Sequence, residues 1–439
     1  ISQVIINIDC GRRRQSTTRR KSTGKNTMKP LLQKSLLTIA LLGAAPTIAG
    51  GLWITENGQP TQGRAGAGEE TGNGDATDAF FNPASMPKLE RPEILISGGV
   101  IHSTAEFDVE SSRIANGDGD GGDAGSTAPG GSVYYAHPLT DRLAFGISGL
   151  ALTGAVLDYD DDWVGRYQVQ DVSILVIGAI PSIGYRVTDK LFIGAAMPVM
   201  YSELDMDVAV PNLNTPVQGP DGKVNLDGDD VQVAGSLSFL YEFTERTRIG
   251  GRTTSKFEFE YDGNISADLL GEVGVETELT MASIARIGLS HDVNDAWSLH
   301  ATWGWDNWSE LKDVFISTNT GGTTLPRNWD DTYHYALGAD YHLNKQWTLR
   351  AGVGYDTDPV DEKDRTADMP IDEQWRYAAG FDYVRDSGMR ISGSVVYADY
   401  GEADIVSNRA PGFGFEGDYQ TNDLWFASVS FNWQLGGDD

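Results

Sequence analysis

Six short polar turns, Thr140-Asp141, Thr188-Asp189, Thr244-Glu245, Asn294-Asp295, Asn344-Lys345 and Arg385-Asp386, alternate along this chain of 439 residues with seven longer Gly- and Asp-rich connections. Thirteen connections join fourteen strands. An even strand count with every short turn at one end and every long loop at the other is the organisation of an outer-membrane barrel, with short turns on the periplasmic side and long loops outside. The fold class expected is therefore all-β, a 14-stranded antiparallel transmembrane β-barrel.

The alternation inside the strands says which solvent each face meets. Over 347–355, Trp347, Leu349, Ala351, Val353 and Tyr355 alternate with Thr348, Arg350, Gly352 and Gly354; over 297–306 and 333–343 the same split recurs, placing His300, His334 and His342 on the polar face. A period of two with a charged inner face suits a closed barrel with lipid outside and polar groups inside, because an open sheet in lipid leaves its edges unpaired. A soluble sandwich also alternates, but its strands run shorter and its core face does not end in aromatics at both rims. Trp297 and Trp347 directly follow short turns, at the height of an interfacial girdle.

The turn rhythm runs unbroken over 93–435, so one barrel accounts for most of the length. The first apolar run, 31–49, follows Met28 and Lys29 and closes on Thr47-Ile48-Ala49, which reads as a secretory signal peptide over 28–49. Residues 1–27, rich in Arg and Lys, read as an upstream extension with Met28 as the start. The lone cysteine, Cys10, lies in that stretch, so the barrel needs no disulfide framework. The chain carries 63 acids against 33 Lys and Arg, for a formal net charge of −30. Such a balance excludes nucleic-acid binding and leaves the repulsion in screened, solvated loops. Those acidic loops could share divalent cations with lipopolysaccharide phosphates. Asp118, Asp120 and Asp123 have the spacing of an oxygen-donor calcium loop but lack the closing bidentate Glu, which favours a solvated loop; no cofactor is implied.

Residues 50–92 do not alternate. Glycines, small residues and Asn82-Pro83 permit a compact irregular plug, and irregular backbone at membrane depth is tolerated only inside protein. The segment is expected within the lumen, with the barrel over 93–439. Here Gln62-Gly63-Arg64-Ala65-Gly66-Ala67-Gly68, followed by Asp78-Ala79 and Asn82-Pro83-Ala84, resembles the N-terminal hatch of the FadL/TodX family of outer-membrane transporters for long-chain fatty acids and other hydrophobic compounds. Gln346-Trp347-Thr348-Leu349-Arg350-Ala351-Gly352, Pro359-Val360, Asp364-Arg365, Met369-Pro370 and Trp305-Asp306-Asn307-Trp308-Ser309 are similar to further family segments, in the family's order.

The resemblance implies a hatch-plugged barrel without energy coupling, through which a hydrophobic substrate passes from an external apolar patch to an inner pocket and then sideways through the wall at a kinked strand. On this sequence Leu52, Trp53 and Ile54 would line or fill the pocket, and Gly63, Arg64, Ala65, Asn82, Pro83 and Ala84 would govern the hatch. Gly146 and Gly149 in the third strand are candidates for the kink, with Pro181 and Pro198 marking a rival location. Where family members bind a carboxylate through cations, this chain has Tyr201-Ser202-Glu203-Leu204-Asp205 and Arg327-Asn328-Trp329-Asp330-Asp331. An acidic pocket repels a carboxylate, so either Arg327 serves or the substrate is a neutral hydrocarbon or aromatic. The usual barrel-assembly machinery is the expected insertion partner. A general diffusion porin, an outer-membrane enzyme, and an adhesin or phage receptor are the other classes; the plug argues against the first, and no motif places a catalytic pair for the second.

Overall fold

The computed structural model describes residues 52–53, 55–114, 119–210, 221–267, 271–318, 321–407 and 414–436. The expected leader and upstream segment, Ile54 and Asp118 lie outside them. The wall consists of β1 (Glu93–Ser112), β2 (Thr127–Pro138), β3 (Leu143–Asp158), β4 (Asp171–Arg186), β5 (Leu191–Ala196 and Val199–Val210), β6 (Gly222–Val233 and Ser236–Thr244) and β7 (Thr247–Thr254 and Phe257–Ala267). It continues through β8 (Gly271–Met281 and Ile284–Asp292), β9 (Trp297–Asp306 and Asp313–Thr318), β10 (Gly321–Pro326 and Thr332–His342), β11 (Trp347–Asp356), β12 (Gln374–Val384), β13 (Arg390–Asp399, with Ile405–Ser407) and β14 (Phe415–Gln434). Each strand pairs antiparallel with the next, and β14 pairs with β1 from Glu93↔Gln434 to Ser112↔Phe415. The fourteen strands thus close a ring without an edge, as the turn rhythm implies.

The short turns owe their residues to local hydrogen bonding. The Thr140 hydroxyl accepts from the N–H groups of Arg142 and Leu143, and the Asn294 side-chain oxygen accepts from Ala296 and Trp297. Thr188, Thr244 and Asn344 repeat the pattern. A short side-chain acceptor at the first turn position pairs donors that the ladder cannot reach. The last turn differs: Gly388, at φ 80°, closes it with an N–H to the Arg385 carbonyl.

Six consecutive strands, β5 to β10, are interrupted, at Met197-Pro198, Ala234-Gly235, Ser255-Lys256 and Ala282-Ser283 and then over 307–312 and 327–331. The polarity of the wall inverts along this line. On the short-turn side the outer face is apolar, with Leu237 64% and Leu337 63% exposed, while Ser238, Ser290, His300 and Thr302 are buried inward. On the long-loop side the outer face carries exposed Glu258, Glu260, Glu276 and Glu278, and the inner face is Phe257, Phe259, Tyr261, Val275 and Leu279, all buried. In β7 and β8 the two-residue interruption also changes which parity faces inward: Arg252 and Thr254 before it, Phe257 and Phe259 after it. The line of interruptions therefore marks where the wall leaves hydrocarbon. Belts of exposed rings flank the apolar band, Trp297 and Trp347 near the turns and Trp303, Tyr335, Trp375 and Trp425 on the loop side, the interfacial placement such rings favour.

Residues 52–53 and 55–92 fold within this ring through the short turns Pro60–Arg64, Glu69–Thr71, Asp78–Phe81 and Pro83–Lys88. They pack directly on the inner face. A Cβ on Gly63 would stand 2.8 Å from the Gly380 Cα on β12, so backbone meets backbone there, an approach that only glycine allows.

Replacing Leu337 with Arg puts a charge against lipid near the middle of the band, and the expected cost is about 2–4 kcal/mol of folding free energy in bilayers. Urea titration of vesicle-inserted protein measures it; an unchanged midpoint would mean that this face does not meet lipid.

Candidate functional site

The lumen holds a cavity between the hatch and β3 to β13. One side is apolar, formed by Trp53, Phe80, Phe81, Leu152, Ile180 and Phe257; the other carries Glu56, Arg286, Asp306, His334, Asp356 and Arg376. Trp53 sits 6.2 Å, ring to ring, from both Phe257 and Trp308, and the stacked series Phe257, Phe259 and Tyr261 extends from it toward the long loops. The charged side is internally neutralised. Arg286 binds Asp306 at 2.6 and 2.9 Å, and Arg376 binds Glu56 at 3.3 Å as well as Asp356, which also pairs with His334 at 2.8 Å.

The hatch is tied to the wall by charges that are buried except for the half-buried Arg390. Arg64 donates to Asp340 on β10 at 2.8 Å; Arg350 on β11 reaches Asp382 at 2.6 Å and the Pro60 carbonyl at 3.0 Å; Arg390 on β13 reaches Asp75 at 3.1 Å. Removing one partner from such a buried pair leaves an uncompensated charge, at a cost of about 3–5 kcal/mol. Ala65 takes a left-handed conformation at φ 53°, and its N–H closes the turn onto the Gln62 carbonyl. Asn82 works as a staple: its amide donates to the carbonyls of Glu70 and, at 3.0 Å, Phe239 on β6, while its side-chain oxygen accepts from Ala84 N–H at 3.1 Å. Pro83 follows at the first position of the next turn, where its missing N–H is not needed.

The wall lapses at β3. Its ladder with β2 runs from Pro138↔Ala144 to Val133↔Gly149 and stops. Beyond that point 150–155 are buried on both parities, and a bulge shifts the register with β4 between Ala151 and Thr153. A strand that loses its alternation in this way has turned in from the lipid face. The Thr153 hydroxyl donates to the Leu52 carbonyl, so the start of the described hatch lies against the bulge, and Leu152 lines the cavity.

Residues 40–434 match the family described as outer membrane protein transport protein (OMPP1/FadL/TodX). The chain belongs to that family. It is similar to the long-chain fatty acid transport protein of Escherichia coli O6:H1, 21% identical over 92% of this chain and 99% of the relative, and to outer membrane protein P1 of Haemophilus influenzae, 25% identical over 81% and 87%. Its fold is similar to that of a Pseudomonas aeruginosa FadL homologue (20% identical, TM-score 0.81, 88% of this chain and 100% of that one). The toluene transporter TodX of P. putida is a further structural relative (16% identical, TM-score 0.65, 88% and 100%). Like these relatives, the protein is a barrel of the bacterial outer membrane.

Within this FadL/TodX-family barrel the expected site residues fall in different places. Trp53 and Ala65 line the cavity, Leu52 lies against Thr153 on β3, Gly63 and Arg64 face β12 and β10, and Asn82, Pro83 and Ala84 pack on β4 to β6. Gly149 is the last residue of the β2 ladder, whereas Gly146 lies inside a regular ladder and yields space to the hatch: a Cβ there would stand 2.6 Å from the Met86 sulfur and 2.7 Å from Ala79. The bulge lies beyond both glycines. Pro181 stays within β4, opposite Ile147, and faces the Met197-Pro198 interruption. A second lapse, between 230–235 on β6 and 255–261 on β7, is on the loop side of the polarity line, bridged by Ser255 N–H to the Gly235 carbonyl.

Arg327 does not reach the cavity. Asp368 holds its guanidinium bidentately at 2.6 and 2.8 Å, so the cation considered for a head group is a structural tie between loops. Asp123 accepts from the N–H groups of Ala105 and Gly125, and Asp120 from Gly122; among the described residues no three metal-ligating side chains cluster. Sequence reasoning passed over Phe80, Phe81, Leu152, Phe257 and Arg252. The period-two series Phe257, Phe259, Tyr261, set against Glu258 and Glu260, was the available signal for an inverted wall.

Burial and the neighbouring Glu70 raise the Glu69 carboxyl from 4.5 to about 7, and burial with Asp75 does the same for Asp78, from 3.8 to about 7. A raised acid binds its proton more tightly folded than unfolded, so the hatch is most stable in acid and loses stability as the pH rises from the ordinary carboxylate range through about 7. Amide exchange over 60–88 should therefore be slower at pH 5 than at pH 8 after correction for intrinsic rates, with the difference reduced in Glu69→Gln. A hatch more protected at pH 8 would contradict this.

Proposed function

We propose that the protein takes up long-chain fatty acids or similar hydrophobic molecules passively across the outer membrane, by way of the hatch-bounded cavity and a sideways exit at β3. The observation that carries the reading is the juxtaposition of an aromatic cavity, the end of the β2–β3 ladder at Gly149 and the Leu52 contact across the bulge. A substrate descending the inward series Tyr261, Phe259 and Phe257 meets Trp53, and the ladder lapse beside Leu152 gives a path from the cavity to the bilayer. Transfer of each CH₂ from water to such surroundings is favourable by about 0.8 kcal/mol, so no coupled energy source is needed.

In this reading 50–92 act as the hatch and 93–439 as the barrel, with Asn82, Pro83 and Ala84 holding the hatch against β6, and Gly63, Arg64 and Ala65 holding it against β10 to β12. The relatives' names join long-chain fatty acids and toluene as cargoes, and the internally paired charges of the cavity also admit a neutral hydrocarbon or aromatic. A general porin fits less well, since the hatch fills the lumen at the height where an aqueous channel would run.

Cells lacking their own hydrophobic transporter should gain uptake of radiolabelled oleate with this protein and lose most of the gain with Asn82→Ala/Pro83→Ala. If small sugars enter and oleate and a neutral alkane do not, the porin reading replaces this one.

A further inference from the structure

Three arginines line the cavity, and they are not equivalent. Arg286 and Arg376 are each held by carboxylates. Arg252, on β7 just before its interruption, has no carboxylate at ion-pair distance among the described residues. Its Nε is buried without a hydrogen-bond partner, and its one described hydrogen bond is a long one, 3.4 Å from a terminal nitrogen to the Phe80 carbonyl. The guanidinium lies over the rings of Phe80 at 4.6 Å and Phe81 at 5.6 Å. Cation–π contact holds the group in place but satisfies none of its five N–H donors. An arginine so placed is short of an acceptor, and a buried donor left unpaired costs about 1–3 kcal/mol.

We propose that Arg252 is the docking point for the carboxylate of an amphiphilic substrate, whose tail lies along Trp53 and Phe257. The inference rests on the uptake reading above and narrows it: the preferred cargo is a monoanionic fatty acid rather than a neutral hydrocarbon. It also supplies the cation that the sequence lacks at 201–205 and that Arg327 cannot offer. The planar fork of a guanidinium matches a carboxylate through two parallel bonds, and the apolar rings beneath it exclude water from them. The acids facing Arg252 electrostatically are Glu70 and Glu69 of the hatch, with Arg286 the neighbouring cation. Both acids have other partners: Glu70 accepts from the Thr302 hydroxyl at 2.9 Å, and Glu69 from Gln59 at 2.9 Å and Thr61 at 2.6 Å. The head group thus meets a cation whose near acids are already bonded elsewhere.

The test compares oleate with methyl oleate, the same tail without the charge, by equilibrium binding to the purified full-length protein in detergent. Wild type should bind oleate about tenfold or more tightly than the ester, the equivalent of one charge-assisted hydrogen-bonded pair. Arg252→Gln should abolish that preference by weakening oleate about tenfold while weakening the ester far less, and Arg252→Lys should restore part of it. Heat-modifiable electrophoretic mobility confirms that each variant is a folded barrel. Equal binding of the two lipids by wild type, or equal weakening of both by Arg252→Gln, overturns the docking role and leaves the uptake reading intact. Binding of neither lipid by wild type overturns both.

Discussion

Inside a bilayer a backbone N–H or C=O has no water to turn to, so every one must be paired within the protein. The ring from β1 to β14 satisfies that demand by having no edge, and the demand gives meaning to each place where the ladder stops. Between β2 and β3 it stops at Gly149, after which β3 turns inward and the hatch, through Leu52, lies against it. A lapse in this wall is costly unless protein covers it. That cost links the hatch to the lapse: the segment occupying the lumen also covers the place where the ladder stops.

Holding such a segment in place requires more than apolar contact, because the inner face of the lower barrel is polar. The chain uses ion pairs between hatch and wall, Arg64 with Asp340, which is buried, and Arg390 with Asp75, which is half-buried, together with Arg350 on the Pro60 carbonyl. These pairs add little net stability against an apolar alternative, but each resists being broken singly. On the other side of the hatch the ties are mostly neutral hydrogen bonds: Asn82 to the Phe239 carbonyl on β6, Thr71 with Ser290 on β8 and the Gly68 N–H to Thr302 on β9.

Much of the architecture was legible in the sequence because turns and alternation are local. Thr140, Thr188, Thr244, Asn294 and Asn344 announce the turns through bonds to their own neighbours, and fourteen strands follow from counting. The interruptions of β5 to β10 were not legible, since each half alternates normally, and in β7 and β8 a two-residue break reverses the inward parity without disturbing that alternation. Arg252 escaped for the same reason: its facing depends on the break at Ser255-Lys256 and on Phe80 and Phe81, far away in sequence. The glycines of β3 were a partial signal. Gly149 ends the ladder, but Gly146 is small because Met86 and Ala79 press on it, and sequence alone does not separate these causes.

The central claim is that substrate leaves where Leu52 covers the β3 bulge, and a reversible lock there tests it most directly. A Leu52→Cys/Thr153→Cys variant brings two thiols to that contact in a barrel with no cysteine of its own among the described residues. Cross-linked in cells, it should block oleate uptake while leaving the barrel folded, and reduction should restore uptake. Undiminished uptake with the cross-link confirmed would contradict the account and send the exit elsewhere in the wall.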